Sequence, residues 1–349
     1  MLLRDFFKIT IERQASDLHL VAGARPSIRL NGRLEAVADE VLEHGFLENE
    51  IKHLLAPALW QKFLDLKELD FSQEFFAKRF RVNLHFQRGE IGLTARLISA
   101  LSPNPDALGF TEVMYNLTRL RDGLIIVTGP SGSGKSTTLA AMINIINKER
   151  DAHVITIEDP IEYVFENEKS LIEQREIGED TLDFASALKH SLRQDPNIIM
   201  VGEMRDPETM AAALTAAETG HLVLSTLHTA TAADTIFRIV DSFPTHQQGQ
   251  VLNQLAGSLR AVISQQLLPR QGGGLIAARE IMINNQAVAN LIRRNQVSQI
   301  MSTIQTSAKD GMLPMNKAID ELAEHGLIDR EYAEGRKRNL ETQATYITS

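Results

Sequence analysis

Hydrophobic and polar residues alternate with period two along residues 79–97, which read RFRVNLHFQRGEIGLTARL. The alternation runs on both sides of Arg88-Gly89 and is typical of two strands joined by a tight turn. An even-length turn centred there places Arg81 directly opposite Arg96. Like charges at opposed positions destabilise a strand pair. Two interpretations follow: each arginine is neutralised by a nearby carboxylate, or the two together bind an anion.

The rest of the first hundred residues has mixed patterns. The segments SDLHLVAG and SIRLNGRLEAV predict short strands, the second with a turn at Asn31-Gly32, and LENEIKHLLAPALWQKFLDL predicts helix interrupted near Pro57. The prolines and glycine of LSPNPDALGF, residues 101–110, favour a linker. We therefore expect an α+β domain at residues 1–100 and a linker at 101–119.

From about residue 120 the pattern changes to continuous apolar segments separated by helical stretches. These segments are GLIIVTG, HVITIED, NIIMVGE and HLVLSTL, and they indicate a parallel sheet covered on both faces. The sheet domain is expected to span 120–285, followed by a helical region with a polar tail at 286–349. The predicted fold class is α/β.

Composition narrows the functional classes. A chain of 349 residues is long enough for two domains, and its net charge of −9 argues against a general nucleic-acid coat protein. The absence of cysteine excludes disulfides, thiolate metal sites and cysteine nucleophiles. No apolar run approaches the roughly 18 residues that cross a bilayer, and the N-terminus does not read as a signal peptide. We expect a cytoplasmic protein that reaches a membrane only through a partner.

The segment LIIVTGPSGSGKSTTLAAMINII carries the strongest motif. Residues 129–136 fit G-x-x-x-x-G-K-[ST], after an apolar strand and before a helix, as a phosphate loop requires. Lys135 is expected to reach the β- and γ-phosphates and Ser136 to ligate Mg²⁺. The loop alone does not choose between a kinase, a GTPase and a motor, although the N-K-x-D segment that a guanine reader usually carries is absent downstream. The predicted nucleotide-binding residues are Gly129, Ser131, Gly132, Ser133, Gly134, Lys135, Ser136 and Thr137.

Acidic residues end two of the predicted strands. Glu203 follows NIIMVG, where it can hold Mg²⁺ through water or orient the attacking water, and Glu158 ends VITIE. The alternative for each is a solvated carboxylate at a strand end. His228 ends HLVLSTL and can hydrogen-bond a γ-phosphate, or it has a structural role.

Longer segments resemble a known family. GPSGSGKSTT, TIEDPIEY, DPNIIMVGEMRDPETMAAALTAAETGHLVLSTLHT and FPTHQQGQVLNQLAGSLRAVISQQLLPR are similar to the secretion ATPase superfamily, most of all to PilT-type retraction ATPases of type IV pili. The resemblance implies a PAS-like N-terminal domain, a RecA-like ATPase domain and a homohexameric ring that uses ATP and Mg²⁺. Such a ring acts on an inner-membrane platform protein. The resemblance therefore also implies a peripheral location at that membrane.

The resemblance also implies roles for individual residues. Lys135 and Ser136 correspond to Walker A, Glu203 to the Walker-B glutamate, and Glu158 to an acidic box. A histidine box contains His221 and His228, with His221 expected near the nucleotide. Arginines of the family that approach a neighbouring subunit's nucleotide correspond to Arg81, Arg96 and Arg193.

Absent and altered features bear on the subfamily. This chain lacks the tetracysteine zinc module of assembly ATPases, and SDLHL begins at residue 16 with no long domain before it, which together favour the retraction type. The segment AVANLIRR at 287–294 differs from the AIRNLIRE of retraction ATPases at Ala289 and Arg294. Alternatives are an accessory or paralogous retraction ATPase, which is also a possible partner, or a nucleotide-dependent scaffold. A DNA translocase is disfavoured because the net charge is acidic and no basic–aromatic segment is present.

Overall fold

The computed structural model describes residues 1–30, 32–98 and 103–337. The chain divides into two compact units, Met1–Leu101 with Glu162–Val164, and Ser102–Ile161 with Phe165–Ser349. Asn31 of the predicted turn, the first two linker residues and the polar tail from residue 338 lie outside the described residues.

The first unit is an antiparallel sheet with three helices. Its elements are α1 Leu3–Glu12, β1 Asp17–Val21, β2 Ser27–Leu30, β3 Arg33–Ala36, α2 Phe46–Leu54, α3 Pro57–Leu66, β4 Glu68–Phe75, β5 Lys78–Gln87 and β6 Glu90–Leu97. The strand order is β3-β2-β1-β6-β5-β4. Pro57 begins α3, because proline is tolerated in a first helical turn, and so it divides the predicted helical segment in two. The predicted α+β domain is confirmed, although the patterns had not indicated α1 or β4.

The hairpin of β5 and β6 has the predicted register. Arg81 pairs directly with Arg96, and the connecting Arg88 and Gly89 both have positive φ, 49° and 82°. Two consecutive left-handed residues match the twist of a two-residue hairpin turn. On the other side of β6, Arg96 pairs with Asp17 of β1.

The second unit contains a seven-stranded sheet and nine helices within residues 103–337. Its elements are α4 Glu112–Thr118, β7 Gly123–Thr128, α5 Lys135–Glu149, β8 His153–Glu158, β9 Leu171–Glu176, α6 Phe184–Ser191, β10 Ile198–Val201, α7 Pro207–Glu218, β11 Leu222–Leu227, α8 Ala232–Asp241, α9 Thr245–Ser258, β12 Leu259–Pro269, β13 Leu275–Ile283, α10 Gln286–Arg293, α11 Ile300–Thr306 and α12 Met315–Glu324. Short 3₁₀ turns occupy Val297–Gln299 and Ala308–Asp310.

This sheet has the order β13-β12-β7-β11-β10-β8-β9. Among its described strands only β13 is antiparallel to its neighbour, so the mainly parallel α/β prediction is confirmed. Helices α4 and α5 cover one face, and α6 to α10 pack on the other, which buries the strands on both sides. The four predicted apolar strands are β7, β8, β10 and β11, whereas β9, β12 and β13 had not been indicated.

The C-terminal segments form helices as their patterns predict. In α10, Val288, Ala289 and Ile292 belong to the same core as the central strands. The altered Ala289 therefore occupies a packed position, and Arg294 caps the end of the helix. Within the described part of the chain, no helix has the length and apolarity needed to cross a membrane.

Candidate nucleotide-binding site

The phosphate loop connects β7 to α5, with positive φ at Gly129, Gly132 and Gly134. A Cβ at Gly129 would collide with the backbone carbonyl oxygen of Gln265 and lie 2.7 Å from Ser133 Oγ. Only glycine lets the loop pass so close to β12. The loop ends at the N-terminus of α5, where free N–H groups and the helix dipole favour an anion. This geometry fits a chain of phosphates.

Lys135 is the first residue of α5 and is 8% exposed. Its Nζ donates hydrogen bonds to the carbonyl oxygens of Gly129, at 2.9 Å, and Pro130, at 3.2 Å. The ammonium group therefore lies over the loop. Ser136 and Thr137 follow in the first turn, so all eight residues predicted for this site are contiguous at the carboxyl end of β7.

Glu203 lies two residues beyond β10 and is anchored on both sides by backbone hydrogen bonds. The Gly202 N–H donates to the Ile157 carbonyl at 2.8 Å, and the Met204 N–H donates to the Thr226 carbonyl at 3.2 Å. These bonds join its backbone to β8 and to β11. Because its side chain is only 15% exposed, the carboxylate has few orientations open to it.

The Glu203 carboxylate contacts two basic side chains. Its Oε2 forms an ion pair with Arg205 Nε at 2.8 Å and lies 3.3 Å from His228 Nε2. The structure thus brings together Glu203 and His228, which the sequence predicted separately. Arg205 was not predicted, although it is two residues from Glu203 in the sequence.

A cleft of about 630 Å³ joins the phosphate loop to these groups. Its lining residues come from the loop, the ends of β10 and β11, and α8: Ser131, Met204, Arg205, Leu227, His228, Thr229 and Arg238. The Thr229 N–H donates to Thr128 Oγ1 at 3.0 Å, which fixes the end of β11 beside the end of β7. The cleft has the cationic side chains that a polyphosphate requires.

Glu158 ends β8 at the same edge of the sheet, but it is not a solvated carboxylate. It is 7% exposed and accepts hydrogen bonds from Thr156 Oγ1 at 2.6 Å and Gln174 Nε2 at 3.1 Å. Its partners thus include side chains of β8 and β9. Among the described residues, Glu158 is not part of the cleft lining.

His221 and Arg193 precede the amino ends of β11 and β10, whereas the phosphate loop follows the carboxyl end of β7. The His221 carbonyl accepts a hydrogen bond from the N–H of Gly123, the first residue of β7. Arg193 is exposed after α6, four residues before Asn197 enters β10. The six-residue strand β11 spans about 20 Å, so the His221 side chain does not reach the phosphate loop of its own subunit. The expected role of His221 in nucleotide binding stays a prediction.

Arg81 and Arg96 belong to the first unit, and each has a carboxylate neighbour. Arg96 Nε donates to Asp17 Oδ1 at 2.8 Å, and Arg81 Nε lies 4.0 Å from Asp70 Oδ1. Burial raises the pKa of Asp17, but hydrogen bonds from Ser16 and Arg96 outweigh burial and lower it overall. The arginine side chains remain 51% and 72% exposed, so local neutralisation leaves both accessible to an anion.

The sequence analysis missed polar groups on β12 and β13. Gln265 is 2% exposed, and its amide Nε2 donates to the backbone carbonyl of Ser133 in the phosphate loop. Arg279 and Glu280, 7% and 1% exposed, are adjacent on β13. The available signal was a set of polar residues inside the apolar runs AVISQQLL and AAREIMI. Buried polar groups of this kind require partners.

The residues present fit Mg²⁺ bound together with a nucleotide. Across the described residues, no group of three or more His, Cys, Asp or Glu is placed to hold a metal ion alone. Mg²⁺ typically combines one or two protein ligands with water and substrate phosphates. The Ser136 hydroxyl at the start of α5 and the Glu203 carboxylate are oxygen ligands of that kind.

Comparisons with known proteins show the family of this chain. The family model described as Type II/IV secretion system protein matches residues 92–324. The type IV pilus retraction ATPase PilT of Pseudomonas aeruginosa is 45% identical over 95% of this chain and 96% of its own length. A twitching motility protein of Neisseria gonorrhoeae is 44% identical over 93% of this chain and 87% of its own length.

Among solved structures, a crystal structure of the pilus retraction motor PilT with bound ADP has a TM-score of 0.89 and 45% identity. The match covers 95% of this chain and 96% of the other. Similarity therefore extends over both units and not over the phosphate-loop motif alone. The chain belongs to the type II/IV secretion system protein family and, within it, to the PilT-type proteins.

Proposed function

We propose that this chain is a Mg²⁺-dependent ATPase motor that powers type IV pilus retraction. It works as a homohexamer at the cytoplasmic face of the inner membrane, where it acts on a pilus platform protein. The observation that carries the proposal is the cleft that Ser131 of the phosphate loop lines together with His228, the partner of Glu203. The identity to a retraction ATPase along nearly the whole chain supports the biological role.

In the proposed reaction, the glycine loop and the N-terminus of α5 bind the phosphates of ATP. Lys135 exchanges its loop carbonyl partners for β- and γ-phosphate oxygens. Ser136 and, through water, Glu203 would hold Mg²⁺, which would neutralise charge on the phosphates. Glu203 orients the attacking water, and His228, which lines the cleft, hydrogen-bonds the γ-phosphate.

The contacts of Glu203 favour this role. Arg205 and His228 both approach Oε2, which fixes the direction in which its other oxygen points. A carboxylate that orients water must be charged and must not rotate freely. Glu158, at the end of the neighbouring strand β8, assists Glu203 in orienting the water.

Substitution of Glu203 by glutamine tests the chemistry. We expect Glu203→Gln to bind ATP and to lose roughly 10²–10⁴-fold in turnover, the range for removal of a general base. Glu208→Gln is the matched control, because Glu208 is 77% exposed on α7 and outside the lining of the cleft. Unimpaired turnover in Glu203→Gln would overturn the assignment.

Arg81, Arg96 and Arg193 are proposed to act on the nucleotide of a neighbouring subunit. Mixed rings test this: Arg96→Ala subunits keep their phosphate loop, and Lys135→Ala subunits keep their arginines. If the arginine acts in trans, mixing two inactive proteins restores a fraction of the ATPase activity. Mixtures that remain inactive would restrict Arg96 to its local ion pair.

Deletion of the gene tests the biological role. Loss of twitching with excess surface pili supports retraction, whereas loss of pili indicates assembly. The alternative is an accessory role, which is considered because the segment around Ala289 is altered. An accessory ATPase predicts only partial loss of twitching on deletion.

A further inference from the structure

A chain of buried polar groups connects the phosphate loop to residues 108–110. Gln265 and Arg279 are directly paired across β12 and β13, and Arg279 Nε donates to Gln265 Oε1 at 2.8 Å. The other end of the Gln265 amide donates to the carbonyl of Ser133 in the loop. The Arg279 Nη1 donates to the carbonyl of Leu108 at 2.8 Å.

The phosphate loop and its helix pack closely around Gln265. Thr138 of α5 donates its hydroxyl to Gln265 Oε1 at 2.8 Å, and a Cβ at Gly134 would lie 3.0 Å from Gln265 Nε2. The amide of Gln265 therefore contacts the loop before α5 and the first turn of α5 together. Any rotation of this amide would break a contact to the loop or to the helix.

Arg279 fixes the orientation of that amide. Because its guanidinium only donates hydrogen bonds, it requires the oxygen of Gln265 on its side and leaves the NH₂ group facing Ser133. Through the rest of the described chain, no carboxylate forms an ion pair with Arg279, and burial lowers the pKa of its guanidinium to about 10. The group is nevertheless charged at neutral pH.

A buried charge without an ion-pair partner lowers the stability of the fold, so each of its N–H donors needs an acceptor. Arg279 satisfies them with Gln265, with the carbonyls of Leu108 and Gly109, and with the ring of Phe110, whose centroid lies 5.5 Å away. Lysine cannot span these partners, because its ammonium is a single point without a planar fork.

We propose that Arg279 is a positioning residue for the phosphate loop, and that it presets the Ser133–Gly134 backbone for nucleotide phosphates through Gln265. The inference rests on the proposed ATPase function and adds a component to it. The same guanidinium holds the backbone at residues 108–109, so the conformations of that segment and of the loop are coupled.

The test measures ADP and adenosine binding by competition against a fluorescent ADP on the full-length protein. We expect Arg279→Lys to weaken ADP binding about tenfold, the loss of one charge-assisted hydrogen bond, and to leave adenosine binding unchanged. The expected kinetic effect is a raised KM with kcat nearly constant. A structural defect would lower both affinities and the amount of active protein together.

Two further variants sharpen the result. Arg260→Lys is the matched control, because Arg260 lies on β12, the strand of Gln265, but pairs with Asp122, which precedes the start of β7. Gln265→Met removes the connecting amide, so adding Arg279→Lys to it should weaken ADP binding little further. If Arg279→Lys does not fold, Gln265→Met alone must show the selective loss of ADP affinity.

The outcomes separate this inference from the proposed function. ADP binding by the wild type that is abolished in Lys135→Ala supports the nucleotide site itself. If that holds and Arg279→Lys binds ADP like the wild type, the positioning role is wrong. Additive effects of the Arg279 and Gln265 changes would also overturn it. Failure of the wild type to bind ADP would instead refute the ATPase proposal.

Discussion

Replacement of Asp17 by asparagine tests how the first unit accommodates its cross-strand arginines. Asp17 lies directly opposite Arg29 on β2 and Arg96 on β6, and Arg96 lies opposite Arg81 on β5. One carboxylate with a 7% exposed side chain thus stands in a row of three guanidinium groups. Asp17→Asn keeps the size of the side chain and removes the negative charge. The row then loses its central counter-charge.

The expected cost follows from the contacts of this carboxylate. Asp17 accepts hydrogen bonds from Arg96 Nε and from Ser16 Oγ, each at 2.8 Å, and Arg29 Nε lies 3.8 Å away. A hydrogen bond to a charged group contributes about 1.5–3 kcal/mol. Because Arg96 is 72% exposed, solvent screening reduces the ionic part, and we expect about 2 kcal/mol.

The sign of the pH dependence follows from the lowered pKa of Asp17. Burial alone would raise it, but the hydrogen bonds from Ser16 and Arg96 more than compensate. The stabilisation is therefore complete above the ordinary aspartate pKa of about 4 and disappears as pH falls through the lower value of the folded state. The difference in the free energy of unfolding between Asp17→Asn and the wild type should become smaller below a pH of about 4.

Trp60 provides the assay, because it is the single tryptophan of the sequence and lies on α3 of the first unit. Its fluorescence follows urea unfolding of that unit within the full-length chain. With a slope of about 1–3 kcal/mol per M, a 2 kcal/mol loss lowers the midpoint by about 1 M. The control Asp70→Asn removes an exposed carboxylate 4.0 Å from Arg81 and should cost under about 0.5 kcal/mol. Equal midpoints for Asp17→Asn and the wild type would refute the reasoning.

Two further predictions concern the second unit. Burial raises the pKa of Glu280, although hydrogen bonds favour its ionised form, so wild-type stability falls as pH rises from about 4 through the raised pKa. Glu280→Gln should therefore show a smaller decrease in Tm between pH 5 and pH 8 than the wild type. Parallel curves of Tm against pH for the two proteins would contradict this. Gly129→Ala should weaken ADP binding at least about tenfold by calorimetry, because the new Cβ meets the carbonyl of Gln265 and the loop must move. Gly220→Ala is its control, with a similarly positive φ but open space around the new Cβ, and equal losses in both variants would attribute the effect to backbone strain.

Local patterns in the sequence were sufficient for the hairpin and for the phosphate loop. Period-two alternation and a two-residue turn determine the register that places Arg81 opposite Arg96. The phosphate loop is contiguous, so its residues come together without knowledge of the sheet. The position of His221 could not be predicted from local patterns alone, because it depends on the direction of β11 in the sheet. The six residues of β11 carry the chain from the amino end of this strand, at His221, to its carboxyl end, at His228.

Contacts between distant segments could not be predicted in this way. Gln265 reaches Ser133 across 132 residues only because β12 lies beside β7, and the strand order is not visible in apolar patterns. The polar residues of β12 also interrupt its apolar run, which concealed the strand. The features that made β12 hard to recognise as a strand are therefore the ones that connect it to the site.

The alternation along β13 assigns its two charged neighbours to opposite faces of the sheet. Arg279 lies on the face of α5 and reaches the phosphate loop through Gln265. Glu280 lies on the other face, where its Oε1 accepts the N–H of Ala232 at the start of α8, four residues after His228. One antiparallel strand at the end of the sheet thus supports both walls of the cleft. Since a single-residue shift of β13 would exchange these faces, its register is a condition for the site as much as for the fold.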